Sequence, residues 1–273
     1  FSRLPVTQNS IRRITDRITE TIMVTGVVNY KQMPFIVKTL ERACLRYLKS
    51  QVHDETLRKK LTPNYGFGCK RPSFSSDYYA TFNRKNVELV TDGIQEITKD
   101  SIVTKDGNKR KIDVLIAATG FNVMKDNNYL NYKLYGKNGA ELGEFWKANR
   151  LQAYQGCAVP NFPNFFIIFG PYSASGLSWF DMIEIQLQHI LRVLNEQKKR
   201  NKKTVEIKQD AHDNYFQFML EKQKNTVFYN NNCSDSNSYY FDKFGDAPFL
   251  RPLTVSKSKS YSKYSDLEHY RYG

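Results

Sequence analysis

Two adjacent cations, Lys70 and Arg71, stand in the stretch LTPNYGFGCKRP (61–72), between Cys69 and Pro72 and just after Gly66 and Gly68. A guanidinium keeps its charge at any working pH and is a planar fork of donors, whereas an ammonium is a compact point charge. In a glycine- and aromatic-rich loop the pair can hold anionic groups, although residue types alone favour a solvated surface pair. Two further stretches, IDVLIAATGF (112–121) and NFFIIFGP (164–171), each end an apolar run on a glycine. Read as strands buried on both faces of a parallel sheet, they bring Gly120 and Gly170 to the carboxyl ends where open α/β sheets bind ligands. A glycine there lets the backbone approach a ligand closely. The run GPYSASG then enters a helix whose free N–H groups form an anion or carbonyl-oxygen site. Each of these signals alone reads as a tight turn before it reads as a ligand site.

The elements that must position these residues follow from periodicity. PFIVKTLERACLRYLKSQ (34–51) places Phe35, Val37, Leu40, Cys44, Leu45 and Leu48 near helical spacing, with Pro34 in the first turn. DETLRKKL reads as a second helix, capped by Asp54 and stopped by Pro63. NVELV (86–90), IQEIT (94–98) and SIVTKDGNKRKI (101–112) then switch to period two, with a turn at Asp106–Gly107. SASGLSWFDMIEIQLQHILRVLNEQ (173–197) starts on small polar residues and continues as a helix of about five turns. The last stretch, TVSKSKSYSKYSDLEHYRYG (254–273), reads as a loose tail.

Composition bounds the function classes. At 273 residues and 40% apolar content the chain is globular, with one large domain or two smaller ones. No apolar run approaches the length of a membrane span. The net charge of +14 suits a polyanion or a phosphate-bearing cofactor, but the lysines are dispersed. The densest cluster, EQKKRNKKT (196–204), falls at a helix end where cations complement the dipole, so a solvated face is favoured over a nucleic-acid patch. Cys44, Cys69, Cys157 and Cys233 form no CxxC pair and share no ligand spacing with His53, His189, His212 or His269. The expectation is no metal site, no disulfide framework, and free thiols in a reducing cytoplasm, with Cys69 a small buried filler.

Taken in order, KLTPNYGFGCKRP, DYYATFNRKNVELVTDGIQEIT, VTKDGNKRKIDVLIAATGF, YGKNGAELGEFW, YQGCAVPNFPNFFIIFGPYSASG, NTVFYNNNC and SYYFDKFGD resemble the class B flavoprotein monooxygenases of the Baeyer–Villiger type. The Lys-Arg-Pro loop and the Ala-Thr-Gly strand end are the specific parts. Departures are Asn161, where the family usually has Gly, and Asn122, where Asp is common.

The resemblance implies an α/β fold made of parts of two dinucleotide-binding, Rossmann-like, three-layer domains. Residues 1–120 would be the C-terminal part of an NADP-binding domain with a helical insertion at about 10–62. Residues 121–273 would be the return segment of an FAD-binding domain with a loose tail. The implied activity is Baeyer–Villiger oxidation of a ketone, with FAD, NADPH and O2. Arg71 would be the catalytic arginine, set over the flavin to stabilise an anionic C4a-peroxide, and so would also touch the cofactor. Lys70 and Arg3 would grip the 2′-phosphate of NADPH, and Thr119, Gly120, Gly170 and Pro171 would approach FAD. No GxGxxG occurs in the 273 residues, and Phe1 falls in what reads as a strand. The expectation is a C-terminal portion, inactive by itself. An N- or S-oxygenating flavin monooxygenase, a non-catalytic interaction remnant and a basic nucleic-acid binder are the other readings. The Lys-Arg-Pro loop argues against the N- or S-oxygenating branch.

Overall fold

A computed structural model describes residues 8, 10, 11, 14, 15, 17, 18, 20–121, 123, 124, 130–174 and 178–273. The chain divides into two compact units that interleave along the sequence: 41–64 with 72–121, and 1–40 with 65–71 and 122–273.

The smaller unit begins inside helix α1 (Pro34–Gln51), which starts at the proline the sequence nominates. Helix α2 (Glu55–Leu61) follows, and the Asp54 carboxylate accepts the Leu57 N–H at 2.6 Å, as an N-cap should. Arg58 turns back to donate to the Val52 and His53 carbonyls, which closes the corner between the two helices. Strands β1 (Ile94–Ile97), β2 (Ser101–Thr104) and β3 (Lys109–Lys111) then form an antiparallel meander in which Ile97 faces Ile102 and Ile102 faces Arg110. The Asp106–Gly107 turn is where the pattern places it, and Gly107 supplies φ +84°.

The larger unit is held by aromatic and aliphatic clusters under two long helices. Helix α3 (Leu142–Asn149) buries Trp146, whose indole N–H donates to the Gln152 carbonyl at 2.9 Å. Helix α4 (Trp179–Lys199), capped by Ser178, buries Met182, Ile185, Gln186, His189, Ile190 and Val193, a stripe at helical spacing. It packs with β4 (Val205–Ile207) and α5 (Gln209–Gln223) around Tyr154, Cys157, Tyr215, Met219 and Tyr270.

Four expectations are corrected. The run 114–118 is not a buried strand: it makes no strand pairing, and Val114 and Ile116 are 77% and 83% exposed. A strand buried on both faces needs hydrogen-bonded neighbours on each side, and both sheets of the described residues are antiparallel and built elsewhere. The second expected strand, 164–171, is irregular and turn-rich; the Asn164 and Ile167 N–H groups go to the Val205 and Cys157 carbonyls instead of a ladder. NVELV likewise joins no strand ladder. The tail, finally, is ordered: α6 (Val255–Tyr264) is capped by Thr254, and β5 (Tyr270–Tyr272) pairs with β4, Val205 opposite Tyr272. Arg192 of α4 anchors the end of α6 by donating to the Ser262 and Ser265 carbonyls at 2.8 and 3.0 Å.

Candidate functional site

The loop Tyr65–Arg71 belongs to the larger unit although the residues before and after it belong to the smaller one. Such a loop, with glycines at 66 and 68, loses much conformational entropy on ordering and needs external holds. It has several. The Gly66 N–H donates to the Asn231 carbonyl at 3.0 Å, and the Asn231 side-chain amide donates to the Phe67 carbonyl at 3.0 Å. Gly68, at φ +96°, lies against Val227 of the short helix Val227–Asn230. Cys69 is joined to Cys233 by a disulfide.

That bond corrects the expectation of four free thiols. Cys44 and Cys157 are free, whereas Cys69 and Cys233, 164 residues apart, are bonded and buried at 0% and 2% exposure. No spacing rule reaches across such a separation; only the fold brings the two together.

With the root of the loop fixed, the two cations emerge on its surface. Lys70 and Arg71 are both exposed, and the Lys70 ammonium lies 5.1 Å from the centre of the Tyr65 ring. Arg71 acts on Tyr240: burial and the neighbouring Tyr239 phenol push the Tyr240 hydroxyl above its ordinary range, and the Arg71 guanidinium pulls it back. Tyr240 in turn stacks on Phe249 at 5.5 Å and meets Phe228 edge-on at 5.3 Å. An exposed guanidinium beside a phenol on an aromatic bed can hold a developing oxyanion, and an ammonium beside it can hold a phosphate.

Gly170 and Pro171 lie buried in the same unit as Lys70 and Arg71. A Cβ on Gly170 would sit 2.5 Å from the Gly156 carbonyl oxygen, so its bare face serves close packing within the protein. Phe169 and Tyr172 flank the pair with left-handed backbones, φ +62° and +57°. Behind them Arg251, 1% exposed, donates from Nε to the Tyr172 carbonyl at 3.0 Å and from Nη2 to that of Gln155. Thr119 and Gly120 belong to the smaller unit and are exposed; Gly120, at φ +87°, has nothing within 4 Å of where a Cβ would stand. Arg3 lies outside the described residues.

Residue-level reading missed Asn231, Cys233, Tyr240 and Arg251. The first three fall within NTVFYNNNC and SYYFDKFGD, stretches that carry the family resemblance, so a signal was present without a role attached. Among the described residues no His, Cys, Asp or Glu cluster could hold a metal ion, and no helix is long and apolar enough to cross a membrane.

No protein-family model matches the chain. It is 30% identical over 208 residues to a Baeyer–Villiger monooxygenase of Pseudomonas aeruginosa, covering 76% of this chain and 39% of that protein. It is 30% identical over 234 residues to a Baeyer–Villiger monooxygenase of Streptomyces coelicolor, covering 85% and 44%. A cyclohexanone 1,2-monooxygenase of Acinetobacter sp. is 32% identical over 180 residues, covering 65% and 32%. The chain therefore spans about four tenths of the length of the first two relatives. Among solved structures, OTEMO in complex with FAD and NADP superposes with a TM-score of 0.73 at 24% identity, over 91% of this chain and 46% of that one. An oxidised steroid monooxygenase bound to NADP gives 0.72 at 24%, over 89% and 46%.

Proposed function

We propose that this chain, related as it is to the Baeyer–Villiger monooxygenases, supplies part of the NADPH and FAD sites of an enzyme that oxygenates a ketone with O2. The observation that carries the reading is the exposed Lys70–Arg71 pair on a loop whose root is fixed by Asn231 and by the Cys69–Cys233 bond.

The donor set fits such cofactors. NADPH carries a dianionic 2′-phosphate, for which Lys70 is a point-charge partner and Arg3 a fork. The bound flavin, once reduced by NADPH, supplies the oxygen chemistry. The protein's part is placement and charge. Arg71 presents a fixed positive charge where negative charge develops on oxygen, and it is stronger there than in water when the site is closed. Gly120 offers an unobstructed backbone to a flat ring, whereas Gly170 and Pro171 serve through backbone polar groups, since the Cα face of Gly170 is taken by Gly156. On this reading residues 1–120 are NADP-binding and 121–273 FAD-binding, with 1–40 and the loop 65–71 packing in the unit of the latter. The chain by itself turns over no ketone, because it carries no GxGxxG to grip a pyrophosphate.

A chimaera in which the N-terminal part of the Pseudomonas relative precedes this chain tests the reading. It should hold FAD, oxidise NADPH and convert cyclohexanone to its ring-expanded ester. A chimaera that folds and binds FAD yet forms no ester with any cyclic ketone would overturn it.

A further inference from the structure

The side-chain amide of Asn231 has two unlike ends, and the structure uses both. Its Oδ1 accepts from the Tyr30 hydroxyl at 2.7 Å and its Nδ2 donates to the Phe67 carbonyl at 3.0 Å, so the orientation of the amide is fixed by its partners. Its backbone carbonyl accepts the Gly66 N–H at 3.0 Å, and its own N–H closes the helical turn onto Val227. The residue is 5% exposed. Gly66 is shaped to receive it: a Cβ at position 66 would overlap the Asn231 amide. Asn231 thus touches Gly66 and Phe67, the second and third residues of the seven-residue loop, and two residues further on Cys233 grips Cys69.

These holds are all at the root. Between Gly66 and Cys69 the backbone is tied to 227–233 by hydrogen bonds, van der Waals contact and a covalent bond. Lys70 and Arg71, the next two residues, stay exposed. A backbone held this way fixes where the two side chains start while leaving their charged heads available. The disulfide alone holds one point and leaves rotation about it; the amide fixes the direction of the peptide planes two residues upstream.

We propose that Asn231 is the positioning residue of the Lys70–Arg71 loop, acting through the hydrogen bond from its side-chain amide to the Phe67 carbonyl. This rests on the reading of Lys70 and Arg71 as cofactor- and oxyanion-facing cations, and it adds the residue that aims them.

The test is hydrogen exchange of the 65–71 amides, corrected for intrinsic rates, in the chain with its disulfide intact and verified by mass. Asn231→Ala should raise exchange in this loop about tenfold, the worth of one hydrogen bond, while amides of α4 and α5 are unchanged. Asn231→Asp gives the diagnostic profile. The neutral acid presents an O–H to Phe67 and a C=O to Tyr30, as the amide does; the carboxylate has no donor. Protection of the loop in Asn231→Asp should therefore approach wild type at about pH 4 and be lost as the carboxyl ionises, while wild type shows no such step. Should Asn231→Ala fail to fold, the Asn231→Asp profile decides alone. Loop exchange in Asn231→Asp that is independent of pH, or that slows as pH rises, would overturn the proposal. So would wild-type protection in Asn231→Ala. These amides report on the loop and not on nucleotide, so a chimaera that fails to oxygenate overturns the proposed function and leaves this result standing.

Discussion

Cys69 and Cys233 have their Cα atoms 5.1 Å apart, and the bond between them closes a ring of 164 residues immediately before the cation pair. Closing so long a loop removes disorder from the unfolded chain and contributes up to about 5 kcal/mol. Cys233→Ser, or full reduction, should lower the denaturant midpoint of the larger unit. Exchange at 65–71 should rise more than exchange at β1–β3. Identical midpoints with and without reductant would show that the bond adds nothing to the fold.

The proposed function gives Arg71 and Lys70 separable jobs. In the chimaera, Arg71→Ala should retain FAD and lose ester formation, because its interaction exists mainly in the oxygenating steps. Arg71→Lys should fail as well, since an ammonium does not reproduce the fork. Lys70→Ala should instead raise the Michaelis constant for NADPH about ten- to a hundredfold and leave NADH nearly unchanged. Arg3→Ala should do the same, and the double variant should be non-additive. Equal losses with both nicotinamides would place Lys70 and Arg3 away from the 2′-phosphate.

Gly66→Ala should destabilise the larger unit by about 1–3 kcal/mol, because the added methyl meets the Asn231 amide. In an Asn231→Ala background the same change should cost much less, since the obstructing group is gone. Chemical denaturation of the four members of this cycle measures the coupling; strict additivity would mean that the two residues do not touch.

His189 carries a pH signature. It is fully buried between the Tyr270 hydroxyl at 2.8 Å and the Ser265 hydroxyl at 3.1 Å. Burial, reinforced by the Arg192 and Arg251 cations, holds its pKa down to about 3 from an ordinary 6.5. Between those values the unfolded chain binds the extra proton. The stability tied to the neutral ring is therefore complete above about pH 6.5 and declines towards pH 3, by about 1.4 kcal/mol per pH unit. His212, lowered by burial and partly restored by Asp213, adds to the same decline. Unfolding midpoints measured from about pH 6.5 to 4 should fall less steeply in His189→Asn; parallel slopes would show that the ring titrates in the fold as it does in water.

What was legible in the sequence is what local chemistry decides. Helix α1 begins at Pro34, Asp54 caps α2, and the α4 stripe follows from spacing. The meander turn follows from Asp106–Gly107. What was not legible depends on partners distant along the chain. The run 114–118 has a strand's composition but no neighbour to pair with, and composition does not report neighbours. Helix α6 has a polar sequence, and its Ser258 and Ser262 are buried by α4 packing that hydropathy does not foresee. At the candidate site the cation pair was readable, while Asn231 was one of three consecutive asparagines, indistinguishable until the fold buried one and left Asn230 and Asn232 exposed.

The unpaired run at 114–118 has a consequence for the protein's behaviour in solution. Val114, Leu115 and Ile116 are β-branched or aliphatic, uncharged and exposed at 77%, 49% and 83%, with Phe121 at 84% just beyond. Exposed apolar side chains on a run that joins no ladder form a template on which another extended segment can add, including the same run in another molecule. Self-association through this ribbon should therefore rise with concentration and fall when something covers it. A single lysine in place of Ile116 should act as a gatekeeper, keeping the chain dispersed at concentrations where the parent sequence forms light-scattering oligomers.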